Sequence, residues 1–399
     1  MTIEKPLPSN TDTNEIEPIK PQFSGEWVKL GDVASYINGY AFKPTDYASE
    51  GKPIIRIQDL TGNAYQTNRF AGILDDKYRV GWGDVLISWS ASLGVYVWSA
   101  EEAWLNQHIF KVQFNKLPVN KRFFIHQTRY VIAESASLAH GATMRHLTKK
   151  VFDNLPFFYP SEHDQDEIAC HLDEIQLQID SASEMLVRLD ALVKSRFIEM
   201  FGDIDDTPYE VKRIQDCCEK IKDGTHRTPT YVEKDSGGVF FLSSKNVVSG
   251  KVDWNSVRYI PEALHEELHK RVAPRKGDIL LAKNGTTGVC AIVDKDCVFD
   301  IYVSLAHIRP LKGVDSIYLW AAINTDKTKE QFNSRLKGIG VPNLHLKEIK
   351  ETLIVLPPLA LQQEFAAFFS QVDKLRFKTQ QQIEKLEILK ESLMQEYFG

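Results

Sequence analysis

The segment His265-Glu266-Glu267-Leu268-His269 has a spacing of residue types that is typical of zinc enzymes. On a helix, two histidines four residues apart share one face and can bind zinc, while Glu266 would act as general base. However, Pro261 and Pro274 bound a short charged stretch that is typical of a surface helix, and no third ligand follows at a zinc-protease spacing. We therefore predict no metal site and no catalytic residue here. The alternative, a zinc hydrolase, would retain stoichiometric metal and lose it in the variant His265→Ala.

Other common catalytic signatures are absent from the sequence. It contains no GxxxxGKS/T phosphate loop, no GxGxxG after a strand pattern, no GxSxG elbow and no Asn-Pro-Pro-aromatic motif for methylation of amino groups in DNA. The five cysteines form no CxxC pair and are expected to be reduced thiols. No run of about 18 apolar residues occurs and the N-terminus is polar, so we expect a cytoplasmic protein without a membrane segment.

Several glycine-containing loops carry side chains that could contact DNA. Residues 283–288 follow a strand pattern, and residues 88–94 are their counterpart. Lys and Arg can contact phosphates or guanine, and Asn, Gln, Ser and Thr can contact other base edges. The alternative for each loop is a plain turn, since Gly, Ser and Asn dominate turns. The candidate DNA-binding residues are Lys43, Arg56, Gln58, Ser88, Trp89, Ser90, Arg145, His146, Thr225, His226, Arg227, Lys245, Asn246, Lys283, Asn284, Thr286, Thr287, Lys337 and Asn343.

The elements that must position these loops occur twice, because the sequence matches itself without gaps at an offset of 197 residues over its best-matching part. The matched pairs include Gly141 and Gly338, Leu147 and Leu344, Pro160 and Pro357, Gln165 and Gln362, and Leu192 and Leu389. Such a long period indicates a duplicated domain with a connecting element rather than a solenoid. The expected organisation is a disordered extension at 1–26, domains at 27–160 and 203–357, and helices at 161–202 and 358–399. A packed N-terminal strand is the alternative for the extension.

Both connecting elements show the apolar pattern of a long coiled-coil helix. In the first, Ile168, Leu172, Ile175 and Ile179 begin a series with alternating steps of four and three that continues to Val193. In the second, Arg376 and Lys390 interrupt the series. Although the net charge is −6, residues 161–202 alone carry 3 basic and 10 acidic side chains, which indicates a solvated face or a surface for a basic partner.

The domains contain short β-branched and aromatic runs bounded by Gly, Asp and Asn. Examples are IIRIQ at 54–58, DVLISW at 84–89, VFFLSS at 239–244 and DILLA at 278–282. This pattern predicts mixed α/β domains that are rich in short strands.

The order of a domain, a proline step and a long helix, all present twice, resembles the specificity subunit of Type I restriction-modification systems. The motifs that carry the resemblance are WVKLGD at 27–32, LPPLALQQE at 356–364, and GDVLI at 83–87 with GDILL at 277–281. The resemblance covers nearly all of the chain after residue 26. In the first copy the proline step is FFYPS at 157–161, and Asp166 stands where the second copy has Gln363.

The resemblance implies an α+β fold in which two tandem mixed α/β target-recognition domains are separated by two long helices. These helices would pack as an intramolecular antiparallel coiled coil with pseudo-twofold symmetry. It also implies a non-catalytic subunit that reads a bipartite, asymmetric site in double-stranded DNA for the methyltransferase and restriction subunits. This chain would bind no cofactor, whereas two methyltransferase (M) subunits would use S-adenosylmethionine and any restriction (R) subunits would use ATP and Mg²⁺.

Four residues at equivalent helix starts are candidates for binding partner subunits. They are Gln165, Glu167, Gln362 and Glu364. A purely structural role is the alternative, since carboxylates favour the positive end of a helix dipole.

The length of the helices is expected to set the distance between the two half-sites of the DNA, as a ruler would. Helices of about 38 residues would reach roughly 55 Å. Adding or deleting whole turns in both helices is predicted to change the spacer of the recognised DNA without changing the half-sites. Unchanged spacing would contradict this idea. A coiled-coil scaffold that binds only proteins is the remaining alternative, and it would show no salt-dependent affinity for DNA.

Overall fold

The computed structural model describes residues 23–63, 66–138, 147–248, 250–285, 287–336 and 342–399. Contacts divide the chain into two compact units: the first comprises residues up to 181 together with 382–399, and the second comprises residues 182–381. None of the helices in the described ranges is both long and apolar enough to cross a membrane.

Helices and short strands alternate along the chain. The helices are α1 Leu30–Val33, α2 Ile57–Leu60, α3 Lys121–Leu138, α4 Lys149–Asp153, α5 Glu162–Phe201, α6 Glu262–His269, α7 Ser316–Ile323, α8 Asp326–Ser334, α9 Leu346–Glu351 and α10 Leu359–Phe398. The strands of the first unit are β1 Gly25–Lys29, β2 Ser35–Asn38, β3 Lys52–Ile55, β4 Arg69–Phe70, β5 Arg79–Val80, β6 Val85–Ser88, β7 Gly94–Val97, β8 Ala103–Leu105, β9 Ile109–Gln113 and β10 Pro156–Pro160. Those of the second are β11 Glu210–Arg213, β12 Cys218–Asp223, β13 Val239–Leu242, β14 Val247–Val248, β15 Lys251–Val252, β16 Arg258–Ile260, β17 Ile279–Ala282, β18 Cys290–Ile292, β19 Phe299–Ile301, β20 Leu305–Pro310 and β21 Leu353–Leu356.

The first unit contains two four-stranded sheets and a two-stranded ladder. The sheets have the orders β2-β9-β6-β7 and β4-β3-β8-β5, and β3 and β8 pair in parallel. β6 is buried along its whole length because it is an inner strand of its sheet. The third element is the antiparallel pair of β1 and β10.

The pairing of β1 corrects the predicted extension at 1–26. Gly25 and Glu26 already belong to the strand, and the side chain of Phe23 is buried in the core. The alternative, a packed N-terminal strand, therefore holds for residues 25 and 26, whereas residues 1–22 lie outside the described ranges.

The second unit repeats this topology. Its sheets have the orders β12-β20-β17-β18 and β16-β13-β19, β13 and β19 pair in parallel, and β11 pairs with β21. A small hairpin, β14 and β15, is added. The prediction of two tandem mixed α/β domains is confirmed.

The repeated Gly-Asp dipeptides of GDVLI and GDILL form turns that start the inner strands. Gly83 and Gly277 have φ angles of +82° and +87°, a left-handed conformation that favours glycine. The carboxylates of Asp84 and Asp278 accept backbone N–H bonds of 2.8 and 2.9 Å from within the same turns. This motif is therefore structural in both copies.

The helices α5 and α10 are each 40 residues long. Each of them contributes one part to the first unit and the other part to the second, and the two helices pair within each unit. In the first unit the start of α5 packs on the end of α10, where His171 Nδ1 lies 3.3 Å from the Tyr397 hydroxyl. In the second unit the end of α5 packs on the start of α10, where the rings of Phe197 and Phe365 are 5.4 Å apart. The pairing is therefore antiparallel, and the predicted coiled coil is confirmed.

The two charged residues that interrupt the apolar series of α10 have partners on α5. Arg376 lies 3.1 Å from Asp190 in the second unit, and Lys390 donates a hydrogen bond to Gln176 in the first. Burial lowers the pKa of Lys390. These polar contacts favour one register, a known use of polar seam residues.

Two equivalent glycines allow the backbone to approach a neighbouring strand end. A Cβ atom on Gly224 would lie 1.9 Å from the carbonyl oxygen of Ile301, and one on Gly39 would lie 2.1 Å from that of Asn106. We expect Gly224→Ala to lower the free energy of unfolding by about 1–3 kcal/mol, because the backbone must move. Urea denaturation measures this loss. Gly313→Ala is the matched control, since nothing lies within 4 Å of its added Cβ; equal losses in both variants would contradict the explanation.

Candidate nucleic-acid interface

The chain segment after the second strand of each domain is held against the parallel pair of strands in the same way. The backbone N–H of Tyr40 donates to the carbonyl oxygen of Leu105 at 2.7 Å, and that of Thr225 donates to Ile301 at 3.0 Å. Tyr40 and Thr225 are therefore structurally equivalent, although their side chains differ.

The turn after β3 is likewise equivalent to the turn after β13. The backbone N–H of Arg56 donates to Asp59 Oδ2 at 2.8 Å, and that of Ser243 donates to Asn246 Oδ1 at 2.9 Å. Short Asp and Asn side chains often stabilise turns by such local bonds. The capping residue is a short polar side chain in both copies. The residues that it positions differ: they are Arg56, Ile57 and Gln58 in one copy and Ser243, Ser244 and Lys245 in the other.

The segment after β6 and the segment after β17 form a third equivalent pair. Trp89 N–H donates to His108 O at 3.4 Å and Lys283 N–H donates to Ser304 O at 2.8 Å. Both residues then accept a backbone bond, at 3.0 and 2.9 Å, from the leucines matched in the repeat, Leu147 and Leu344. An aromatic ring in the first domain thus takes the place of an ammonium group in the second.

We call each set of equivalent segments a loop cluster. The first loop cluster consists of Tyr40, Arg56–Gln58, Trp89 and Asn106, and the second consists of Thr225, Ser243–Lys245, Lys283 and Tyr302. Asn106 and Tyr302 belong to the sets because they donate backbone bonds to Ile55 and Leu242, at 3.2 and 2.8 Å. The backbone hydrogen bonds are the same in both clusters, but the side chains differ at every position.

Positive charge gathers around one carboxylate in the second loop cluster. Asp223 Oδ2 lies 3.2 Å from Lys283 Nζ and 3.1 Å from His226 Nε2, and its Oδ1 accepts from Arg271 at 2.8 Å. Burial alone would raise the pKa of Asp223, but Lys283 and its other cationic neighbours hold it below the usual range. Arg227 is 89% exposed and lies 3.9 Å from the carboxylate of Glu267. Cations outnumber the carboxylate, which suits contact with phosphates.

In the first loop cluster the aromatic ring is fixed by its neighbours. The indole N–H of Trp89 donates to Asn38 Oδ1 at 3.2 Å, and the ring stacks on Phe110 with centroids 5.8 Å apart. Next to it, Ala91 has a φ of +58°, a strained value for a residue with a Cβ. Strain of this kind often occurs at functional sites.

The structure brings many of the predicted DNA-binding residues together and leaves others apart. Arg56, Gln58 and Trp89 belong to the first loop cluster, and Thr225, Lys245 and Lys283 belong to the second. His226 and Arg227 follow Thr225 directly, and Asn284 pairs with Asn343 beside Lys283. Lys43 is exposed at a separate capping turn. Thr287 lies in a turn where its hydroxyl donates to Gly285 O at 3.4 Å.

Several predicted contacts are corrected because the side chains are buried; one is that of Thr225, whose hydroxyl accepts the backbone N–H of Arg227 at 3.2 Å. Ser88 donates its hydroxyl to Ser92 O, Ser90 is buried, and Asn246 uses its amide to hold the turn at Ser243. Lys283 is also buried, so its ammonium group acts through Asp223 rather than as a free phosphate contact. The remaining candidates, which lie outside the described residues, are Arg145, His146, Thr286 and Lys337.

Two of the predicted partner-binding residues are structural. Gln165 is fully buried, donates to Pro160 O at 3.0 Å and accepts from Asn120 N–H at 2.9 Å. Its repeat equivalent Gln362 makes the same pair of bonds, at 2.8 and 2.9 Å. These amides fasten each helix start to its domain, and their burial keeps them from contact with a partner. Glu167 is half-buried, and Glu364 is exposed and pairs with Arg196 at 3.3 Å.

Sequence reasoning missed several residues of the site. Asn106, Tyr302 and Arg271 were not candidates, and neither was Asp300, which the structure places beside His265 on α6. Asn106 follows β8 and Tyr302 follows β19, which are equivalent strands because each pairs in parallel, with β3 and with β13. Insertions between the copies break the ungapped repeat in this part of the sequence. Only a gapped comparison of the two copies could have found them.

Comparison with known proteins agrees with this duplicated architecture. A family model described as the Type I restriction modification DNA specificity domain matches residues 25–189 and 207–387. The specificity subunit of the Type I restriction enzyme EcoBI from Escherichia coli is 24% identical over 93% of this chain and 85% of that protein.

Two solved structures share the fold. One is a chain from a type I restriction-modification system with a TM-score of 0.58, 15% identity and coverage of 96% of this chain and 99% of that chain. The other is the S subunit from M. genitalium, with a TM-score of 0.54, 13% identity and coverage of 96% and 98%. Because the family model matches both copies and most of the chain, the chain belongs to the Type I restriction-modification specificity family and is a non-catalytic subunit that recognises DNA.

Proposed function

We propose that each loop cluster reads one half of a bipartite, asymmetric site in double-stranded DNA. The observation that carries this proposal is that one set of backbone hydrogen bonds, present in both domains, holds different side chains. Two loops with the same backbone can approach DNA in the same way, while different side chains at equivalent positions, such as Gln58 in one and Lys245 in the other, select different bases or phosphates. An antiparallel helix pair matches the twofold relation between the two DNA strands, so both domains can use the same docking geometry.

The proposal includes two methyltransferase subunits, bound at equivalent surfaces of the helices. Leu192 on α5 and Leu389 on α10 occupy the same position in the repeat, and their side chains are 47% and 46% exposed. Large apolar side chains that recur on an exposed surface favour a protein partner. The methyltransferase subunits would bring S-adenosylmethionine, and restriction subunits, where they join, would bring ATP and Mg²⁺. The assembly would act in the cytoplasm, where host DNA lies.

The exposed leucines give a prediction for the stoichiometry of the complex. We expect Leu192→Glu or Leu389→Glu alone to leave one methyltransferase subunit per chain, and the double variant to leave none, since a charge replaces each apolar contact. Mass measurement of the co-expressed complex counts the subunits. Val187→Glu is the matched control, because Val187 is 68% exposed and its repeat equivalent is Glu384. Two bound subunits in the double variant would contradict the proposed surfaces.

The function is tested by mapping N6-methyladenine in a host that expresses this chain with its neighbouring methyltransferase subunit. The proposal predicts a two-part motif with a fixed spacer that disappears when the gene for this chain is deleted. A motif that persists after deletion, together with no DNA binding by the purified complex, would overturn it.

A further inference from the structure

Two histidines and an aspartate meet in the second unit, and the recognition of DNA does not require them. His265 and His269 lie one turn apart on α6, with their ring centroids 4.7 Å apart. Asp300 is the middle residue of β19, and its side chain is 2% exposed. The helix therefore presents two imidazoles to one buried carboxylate.

The hydrogen bonds of this group are incomplete. His265 Nδ1 lies 2.7 Å from Asp300 Oδ2, which is a hydrogen bond. His269 Nδ1 lies 3.6 Å from Asp300 Oδ1, which is too long for one. His269 Nδ1 and Asp300 Oδ1 are both buried, and neither has a hydrogen-bond partner among the described residues. A buried polar atom without a partner costs free energy, so the pair calls for a group between them.

The spacing fits a metal ion. One ligand atom from each of the three residues lies within 4.8 Å of the others. Bonds of about 2.0–2.1 Å at tetrahedral angles separate two ligands by about 3.3 Å. The 3.6 Å gap between His269 and Asp300 is close to this value, and the shorter contact of His265 requires only a small opening. Imidazole and carboxylate are common ligands of divalent first-row metals.

We propose that His265, His269 and Asp300 form a binding site for a divalent first-row metal ion such as Zn²⁺, which fastens α6 to β19. His269 is 34% exposed and leaves a route from solvent. The third ligand comes from a strand, and Glu266 is exposed on the helix surface. The role is therefore structural.

The site adjoins the second loop cluster. Asp300 precedes Tyr302 by two residues, and it borders a cavity of about 10 Å³ together with Thr225, Leu268 and Arg271. A metal ion that fixes α6 would also fix Arg271, whose guanidinium donates to Asp223 and to the carbonyl oxygen of Gly224. An effect on DNA affinity through this route rests on the proposed function, whereas metal binding itself does not.

The test measures Zn²⁺ binding by the full chain in complex with its methyltransferase subunits. After dialysis against a chelator, Zn²⁺ is titrated back by calorimetry, and thermal unfolding is recorded with and without excess ion. We expect one additional Zn²⁺ per chain relative to the His269→Gln complex, and a rise of ~5 °C in the melting temperature of the second unit. His269→Gln should weaken this site at least about 100-fold.

The choice of variant separates loss of metal from loss of fold. His269 makes no hydrogen bond to Asp300, so His269→Gln should melt at the wild-type temperature when no metal is present. His163→Gln changes an exposed histidine on α5 and should retain full Zn²⁺ binding. Identical Zn²⁺ titrations of wild type and His269→Gln, or no Zn²⁺-dependent rise in melting temperature, would overturn the proposal. Either outcome would leave the proposed reading of DNA by the loop clusters intact.

Discussion

Replacing Asp278 with alanine is expected to lower the free energy of unfolding of the second unit by about 3–5 kcal/mol, the usual cost of breaking a buried ion pair. The Asp278 side chain is 2% exposed, and its carboxylate lies 2.6 Å from His307 Nε2 and 2.8 Å from Arg309 Nη2. Without the carboxylate, buried Arg309 loses its ion pair and keeps its hydrogen bond to the carbonyl oxygen of Ala273. Urea denaturation followed by circular dichroism measures the loss.

The duplicated fold supplies the matched control at the equivalent position of the first domain. Asp84 caps the same turn and pairs with Lys111 at 2.9 Å, but its side chain is 29% exposed. We expect Asp84→Ala to cost about 1 kcal/mol. Equal losses in the two variants would show that burial of the ion pair does not decide the cost.

The same carboxylate sets a dependence on pH. Burial alone would raise the pKa of Asp278, but hydrogen bonds from His307 and Arg309 lower it to about 2. A group with a lowered pKa stabilises the folded state above its unfolded pKa and loses this contribution as the pH falls through the folded value. The difference in stability between wild type and Asp278→Ala should therefore shrink between about pH 4 and pH 2.

The largest expected effect on DNA binding is that of Lys283→Ala. Removing the ammonium group leaves the Asp223 carboxylate less neutralised in the second loop cluster, where it would repel phosphate. We expect the affinity of the complex for its site to fall about tenfold or more, with a shallower dependence on salt. Fluorescence anisotropy at several salt concentrations measures both quantities.

Two further variants test the position of this effect. Lys276→Ala removes an exposed lysine outside the loop clusters and should leave affinity nearly unchanged. Trp89→Ala removes the equivalent residue of the first loop cluster and should weaken selection of the other half-site only. If Lys276→Ala and Lys283→Ala reduced affinity equally, net charge rather than the loop cluster would explain the binding.

The duplication and the helices could be predicted from sequence because they depend on regular patterns. Apolar residues at heptad spacing mark α5, and the repeat carries the same conclusion to α10, where Arg376 and Lys390 obscure the pattern. The turns at Gly83 and Gly277 could also be predicted, because a left-handed turn before a buried strand favours glycine. The start of β1 was predicted only as an alternative, because the polar N-terminal sequence gives little sign of a strand that pairs with the distant β10.

The loop clusters could be predicted only in part, since they are defined by backbone bonds between segments far apart in the chain. Trp89 and Lys283 share no chemistry, and only their common bonds to neighbouring segments make them equivalent. Conversely, Gln165 and Gln362 are identical in both copies because each closes the same helix start. Residues that match between the copies therefore mark structure here, whereas residues that differ on the same backbone mark candidates for recognition.

The most direct test of the account is the methylation motif of a variant altered in one loop cluster. Ser244 and Lys245 are replaced by alanine, the variant is expressed with the methyltransferase subunit, and N6-methyladenine is mapped across the host genome. The account predicts that one half of the motif becomes relaxed, while the other half and the spacer stay as in wild type. Relaxation of both halves, or a motif identical to that of wild type, would contradict it.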